Sequence, residues 1–98
     1  MMEELPPVNP RASKSVLLEA HAIVYGARQD RYGTPSDNHA RTAALWSAYL
    51  GCPITARQVC VLNILQKVSR DAHTPGRDNA VDIAGYAECL EITRHVLD

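Results

Sequence analysis

A short break between two helical stretches constrains the fold of this chain more than any other feature. The segment reads QKVSRDAHTPGRDNAVDIAGYAE and spans residues 66–88. Pro75 and Gly76 interrupt the helical pattern, whereas Asp78 and Asn79 are residue types that cap the start of a helix. The sequence therefore predicts a helix, a tight turn and a second helix. Because the turn is so short, the two helices must run antiparallel as a hairpin.

The register of this hairpin brings polar side chains of the two helices to the same levels. On each helix the polar residues recur at spacings of three and four, and therefore share one face. The predicted pairs are Lys67 with Asp82, Arg70 with Asn79, and Asn63 with Tyr86. The facing surfaces of two packed helices are normally apolar. The polar pairs of this hairpin therefore form either an internal ion-pair lock or half of a ligand site.

Energetic considerations favour the ligand site. In the lock, Lys67 bridges to Asp82, and Arg70 is tied to Asp78 or Asn79. Partly exposed ion pairs contribute about 0.2–1 kcal/mol each, whereas buried ions cost several kcal/mol to desolvate. A chain of 98 residues has too limited a core to carry that cost for stability alone. We therefore predict that these residues face a ligand.

Apolar residues recur with helical spacing along most of the chain, and no stretch alternates with the period of a strand. The sequence predicts an all-α fold, a compact four-helix bundle. Residues 1–12 contain three prolines and are predicted to be a flexible tail, with residues 13–98 as a single helical domain. The predicted helices span about residues 15–29, 37–50, 56–71 and 79–97.

Capping residues set the expected helix ends. Ser13 or Ser15 is expected to cap the first helix, and Ser36 or Asp37 the second. Gly51 is expected to end the second helix. Thr55 and Gln58 have the spacing of a capping box at the start of the third.

Size and charge exclude several classes of protein. A domain this small buries only about 60% of its unfolded surface, so we expect a homo-oligomer, a dimer or higher, to complete the bundle. The net charge of −1 argues against a dedicated nucleic-acid binder and against a basic membrane-surface protein. No apolar run approaches the roughly 20 residues of a membrane span. The polar N-terminal segment does not have the pattern of a signal peptide, so we expect a cytoplasmic protein.

Cysteines and histidines offer no metal-binding pattern. Cys52, Cys60 and Cys89 lack ligand spacing and are predicted to be reduced packing residues. The four histidines likewise lack ligand spacing and are interpreted as surface or packing residues. The chain also lacks a glycine-rich phosphate loop and a convincing nucleophile–base pair.

A second polar cluster, from Arg28 to Arg41, connects the first two predicted helices. Arginines of this kind can clamp a phosphate with two hydrogen bonds, and Tyr32 and Arg41 are therefore candidate substrate-binding residues. Carboxylates could supply the oxygen ligands that Mg²⁺ prefers, and the candidates are Asp30, Asp37, Glu19 and Asp82. The alternative interpretation is a solvated loop with helix caps.

These residues carry a resemblance to a known family. The pattern comprises Tyr32-Gly33, Asp37-Asn38, Arg41, the run Leu45–Gly51, Ile54-Thr55, Lys67-x-x-Arg70 and the run Asp78–Tyr86. Over about residues 25–90 the chain resembles small phage and prophage proteins of unknown function. That resemblance implies a protein that acts in the cytoplasm of a bacterial host.

More distantly, the helix order and the pair Asn79-x-x-Asp82 resemble the MazG-type all-α nucleoside triphosphate pyrophosphohydrolases. Those proteins bind magnesium and a triphosphate with paired carboxylates on two helices. The resemblance implies a nucleotide ligand and Mg²⁺. This chain departs from the pattern because Asn79, Lys67 and Arg70 stand where that family has carboxylates.

The site implied by this resemblance assigns a role to each candidate residue. Asp78 and Asp82 are the expected catalytic residues, and with Glu19 they are the expected metal ligands. Phosphate clamps and orienting groups would be Lys67, Arg70, Asn63, Asn79 and Tyr86.

Two functions follow from this pattern. The first is binding of a nucleotide phosphate with hydrolysis by a metal-dependent, pyrophosphohydrolase-like mechanism. The alternative is a non-catalytic phage accessory or counter-defence protein that sequesters a nucleotide or binds a host protein. A DNA-binding helical domain would need a basic face, which the sequence does not offer.

Overall fold

The computed structural model describes residues 15–96, and every regular element in this part of the chain is a helix. The α-helices are α1 (Val16–Tyr25), α2 (Ala27–Tyr32), α3 (Pro35–Leu50), α4 (Ala56–His73) and α5 (Arg77–Ile92), followed by a 3₁₀ turn at Thr93–His95. The all-α prediction is confirmed. The predicted tail at residues 1–12 lies outside the described residues.

The first predicted helix is divided in two by Gly26. The residue adopts φ −119° and ψ −111°, outside the helical region. A Cβ atom at this position would lie 2.5 Å from the backbone oxygen of Ala22, so only glycine fits without a shift of the backbone. The prediction of one continuous helix over 15–29 is therefore wrong, and α2 begins a new direction at Ala27.

Helix α3 begins earlier than predicted, because Thr34 is its cap. The Thr34 hydroxyl accepts a hydrogen bond from the Asp37 backbone N–H at 3.2 Å. Pro35 occupies the first helical position, where its missing N–H has no cost. The prediction of Ser36 or Asp37 as the cap is wrong, whereas Gly51 ends the helix in the left-handed conformation with φ 72°, as predicted.

The capping box of α4 is confirmed. The Thr55 hydroxyl accepts from the Gln58 backbone N–H at 3.0 Å, and the Gln58 side chain accepts from the Thr55 backbone N–H at 2.9 Å. These two bonds satisfy donors that have no partner within the helix. The helix then runs two residues beyond the predicted end, to His73.

The turn between α4 and α5 is held by Asp71. Its Oδ1 accepts from the Gly76 backbone N–H at 3.1 Å and from the Asn79 side-chain amide at 3.2 Å. Gly76 is the residue before α5, so Asp78 and Asn79 lie inside the first turn of that helix. The prediction that Asp78 and Asn79 cap α5 is wrong, although the antiparallel hairpin itself is confirmed by the extensive packing of α4 on α5.

Helix α5 lies at the centre of the fold, packed against both α1 and α4. The core beneath it is built from small and branched side chains, and its centre is formed by Val24, Cys60 and Cys89. Burial raises the pKa of the Cys89 thiol to about 11 and also raises the pKa of the Cys60 thiol. These two cysteines are packing residues, as predicted, whereas Cys52 is exposed.

Large apolar side chains remain exposed on α3 and α4. On α3, Tyr49 is 90% exposed and Leu45 is also exposed. On α4, Val61, Leu65 and Val68 recur at spacings of four and three, and all three are exposed. We call these five residues the outer apolar face. None of the helices between residues 15 and 96 is long and apolar enough to cross a membrane.

The cap assignment gives a matched test. Thr34→Ala removes the hydroxyl that accepts from the Asp37 N–H and is expected to lower the free energy of unfolding by about 1 kcal/mol. Ser36→Ala, the matched control, is expected to change it little because Ser36 is not the cap. Urea denaturation followed by circular dichroism measures both. Equal losses in the two variants would contradict the assignment.

Candidate functional site

A shallow hollow opens between α1, the start of α2 and α5, and its enclosed part has room for about one water molecule. Its walls are apolar, with Ile23 and Val24 on one side and Val81 on the other. Its polar lining residues are Arg28, Asp82 and Tyr86. Apolar walls with a few converging polar groups are the lining of many small-molecule sites, but the enclosed space here is far smaller than their usual volume of about 300–1,000 Å³.

Arg28 is the main polar group of this hollow. Its guanidinium carbon lies 5.4 Å from the ring centroid of Tyr32 and 5.4 Å from that of Tyr86. Both contacts are within the range of cation–π attraction. Because Arg28 lies just after Gly26, the break between α1 and α2 sets the position of this guanidinium.

Asp82 belongs both to the hollow and to the hairpin. Its Oδ2 lies 2.8 Å from Lys67 Nζ, with the Lys67 side chain 16% exposed and the Asp82 side chain 39% exposed. The predicted pairing of Lys67 with Asp82 is therefore confirmed. Lys67 neutralises Asp82, so Arg28 leaves the hollow with a net positive charge that suits an anion.

The other predicted pairs of the hairpin form differently. Asn79 bonds to Asp71 and, at 3.4 Å, to the Thr74 carbonyl, so the predicted pairing of Asn79 with Arg70 is wrong. Tyr86 contacts Arg28 and the ring of His39, the ring centroids being 6.4 Å apart. The pairing of Asn63 with Tyr86 stays a prediction.

Two of the three predicted metal ligands are paired with cationic side chains. Glu19 Oε1 accepts from Arg77 Nη2 at 3.2 Å, while Asp82 is bound to Lys67. Asp78 is exposed in the first turn of α5. In the described part of the chain, no three His, Cys, Asp or Glu side chains form a group that could hold a metal ion. These residues, as placed, do not fit a magnesium site.

Arg41 and Tyr32 connect α2 to α3. Arg41 Nη2 donates to the Tyr32 carbonyl at 3.1 Å, which holds the end of α2 and therefore the Tyr32 ring beside Arg28. The sequence placed Arg28 in the polar cluster whose arginines can clamp a phosphate, but only Tyr32 and Arg41 of that cluster were selected as substrate-binding residues. The spacing of four between Arg28 and Tyr32 is the signal that could have identified Arg28.

His39 is the second polar residue that the sequence did not single out as a site residue. It is 2% exposed, and its Nδ1 lies 2.8 Å from the Pro35 carbonyl oxygen. A carbonyl only accepts, so Nδ1 donates and Nε2 is left as an acceptor. Nε2 is buried and has no hydrogen-bond partner in the described structure. Burial lowers the pKa of the imidazole, and the Arg28 charge adds to that effect, although the bond to Pro35 opposes it.

Comparison with known proteins finds a matching domain family and two phage proteins. The family described as "Domain of unknown function (DUF6378)" matches residues 15–94. A Gene 55 protein of Mycobacterium phage L5 is 43% identical over 79 residues, which cover 79% of this chain and 51% of that protein. A Gene 55 protein of Mycobacterium phage D29 is 41% identical over 80 residues, which cover 81% of this chain and 53% of that protein.

These matches confirm the predicted resemblance to phage proteins of unknown function. The chain spans about half the length of these two relatives. No solved structure matches it. The resemblance to MazG-type proteins stays a prediction.

The Lys67–Asp82 ion pair can be tested by a double-mutant cycle. Asp82→Leu leaves a largely buried ammonium without its carboxylate and is expected to cost about 1–3 kcal/mol of unfolding free energy. Adding Lys67→Met is expected to recover most of that loss, because the buried charge is then gone. The exposed pair Glu91–Arg94 is the control, with little expected coupling. Equal coupling in both pairs, measured by urea denaturation, would contradict the structural role of Lys67–Asp82.

Burial of His39 predicts an acid-sensitive fold. Above a pH of about 6.5, the ordinary pKa of the imidazole, the ring is neutral in the folded and unfolded chains. Below that pH the unfolded chain takes up a proton more readily, so the free energy of unfolding falls. Thermal melts between pH 7.5 and 5 should show a smaller decrease for His39→Gln than for the unmodified chain. An equal decrease would contradict this prediction.

Proposed function

The chain belongs to the domain family DUF6378, and on this premise we propose that it is a phage accessory protein that binds a nucleotide phosphate without hydrolysing it. The observation that carries the proposal is the guanidinium of Arg28, placed between two tyrosine rings at the hollow. A guanidinium binds phosphate with two parallel hydrogen bonds. The phage relatives support an accessory role in the cytoplasm of a bacterial host.

The charges around the hollow support an anionic ligand. Asp82 would repel a phosphate if it were free, but Lys67 Nζ lies 2.8 Å from its carboxylate. Arg28 therefore supplies the uncompensated charge among the residues that line the hollow.

The same contacts favour binding over hydrolysis. A pyrophosphohydrolase-like mechanism needs free carboxylates to hold Mg²⁺, whereas Glu19 and Asp82 are each engaged with a cation. The hydrolytic alternative would require both ion pairs to open. A ligand held by Arg28 needs neither to open, and Lys67 keeps its role in the hairpin.

The outer apolar face supports a second role in protein association. Leu65 is 56% exposed and Tyr49 is 90% exposed, and the two helices that carry these side chains pack against each other. Exposed apolar side chains that gather in one patch mark sites of protein association. We propose that this face meets a second copy of the chain, with a host protein as the alternative partner. Sedimentation of the unmodified chain and of Leu65→Glu tests the homo-oligomer, which predicts a smaller particle for the variant. An unmodified chain that sediments as a monomer would overturn this proposal.

Nucleotide binding is tested by thermal shift with a panel of ribonucleotides and deoxyribonucleotides, with and without Mg²⁺. A binding nucleotide at 100 times its Kd is expected to add about 2.7 kcal/mol to the free energy of unfolding. Arg28→Gln should weaken binding about tenfold or more, since a charge-assisted hydrogen bond is worth about 1.5–3 kcal/mol. The control Arg57→Gln should leave it unchanged, because Arg57 is an exposed residue at the start of α4.

Three outcomes distinguish nucleotide binding without hydrolysis, nucleotide hydrolysis, and the absence of specific binding. Stabilisation that needs Arg28, without release of pyrophosphate, supports the binder. Release of pyrophosphate supports the hydrolytic alternative. No stabilisation by any nucleotide, or equal affinity in the Arg28→Gln and Arg57→Gln variants, overturns the proposal.

A further inference from the structure

A second, smaller hollow lies behind Arg28. It is lined in part by Gln29, Asn38 and His39. It shares Arg28 with the first hollow, and also Val24 and Cys89. The side chain of Arg28 therefore lies at the boundary between the anion-binding hollow and a buried recess.

The unpartnered nitrogen of His39 is the unusual feature of this recess. Its Nδ1 is fixed by the Pro35 carbonyl at 2.8 Å, which orients the ring and leaves Nε2 as an acceptor. A buried acceptor without a donor costs about 1–3 kcal/mol. Native proteins seldom tolerate such an atom unless a water or a ligand satisfies it.

The recess is too small for a ring system. Its enclosed part has room for about one water molecule, which is also the size of a hydroxyl or an amino group. Tyr86 contacts both the guanidinium of Arg28 and the ring of His39. Arg28 and His39 also line the same recess, so the two groups are neighbours.

We propose that Nε2 of His39 accepts a hydrogen bond from a hydroxyl or amino group of the same ligand whose phosphate binds Arg28. This inference rests on the proposed function and narrows the ligand class to phosphorylated molecules that carry such a donor. In a nucleotide the donor is a sugar hydroxyl or an exocyclic amine of the base. His39 is then a specificity-determining residue, because a ligand without the donor leaves Nε2 unpaired.

Matched ligands and matched variants test this assignment. His39→Asn keeps an amide that can donate to the Pro35 carbonyl but has no acceptor at the position of Nε2, whereas the longer His39→Gln can place its amide oxygen there. Calorimetry compares a nucleoside 5′-monophosphate that binds in the thermal-shift panel with its 2′-deoxy, 3′-deoxy and desamino analogues. We expect one analogue to bind the unmodified chain about tenfold or more weakly. The identity of that analogue shows whether the sugar or the base supplies the donor.

The variants then decide whether His39 is the acceptor. His39→Asn should bind the parent nucleotide and the weak analogue equally, and His39→Gln should restore part of the preference. Equal affinity of all analogues for the unmodified chain, or an unchanged preference in His39→Asn, overturns the assignment. Loss of binding by every ligand, including to the unmodified chain, is instead a failure of the proposed function.

A measurement on the unmodified chain keeps the test independent of variant folding. Nitrogen-15 spectra of histidine-labelled protein report on Nε2 directly. The His39 Nε2 resonance is expected to shift when the parent nucleotide is added, and to shift less with the analogue that lacks the donor. Identical shifts with both ligands would mean that only water occupies the recess, and would overturn the assignment.

Discussion

The ion pair between Lys67 and Asp82 links the hairpin of α4 and α5 to the hollow on the other side of α5. Its 2.8 Å contact aligns the two helices at one level, and the same carboxylate lines the anion-binding hollow. Because Lys67 neutralises Asp82, the charge of Arg28 is available to a ligand. The ion-pair lock is therefore present in the structure, and the proposed ligand site depends on it electrostatically.

The break in the helix at Gly26 positions Arg28, the other charged residue that lines the hollow. Gly26 separates α1 from α2 and brings Arg28 against the rings of Tyr32 and Tyr86. Arg41 holds the carbonyl of Tyr32 at the end of the short helix. The polar connection between the first two predicted helices is largely exposed and contains the Thr34 cap of α3, and it also positions the Arg28 guanidinium.

The fold is small, and its parts divide between a polar inner site and an apolar outer face. Packing of α5 against α1 and α4 buries Val24, Cys60 and Cys89 at the centre. Large side chains such as Tyr49 stay exposed on the outside. The chain spans about half the length of its phage relatives.

The sequence by itself determined the features that depend on neighbouring residues. These are the helices, the stop at Gly51, the capping box at Thr55, and the hairpin that aligns Lys67 with Asp82. Only the tertiary structure decided that Arg28 and His39 both contact the ring of Tyr86, because that ring belongs to the distant helix α5. The ion pair between Glu19 and Arg77 could not be predicted from residue spacing, because the two residues lie 58 positions apart in the chain. Local hydrogen bonding follows from sequence order, whereas burial and charge pairing depend on which distant helices pack together.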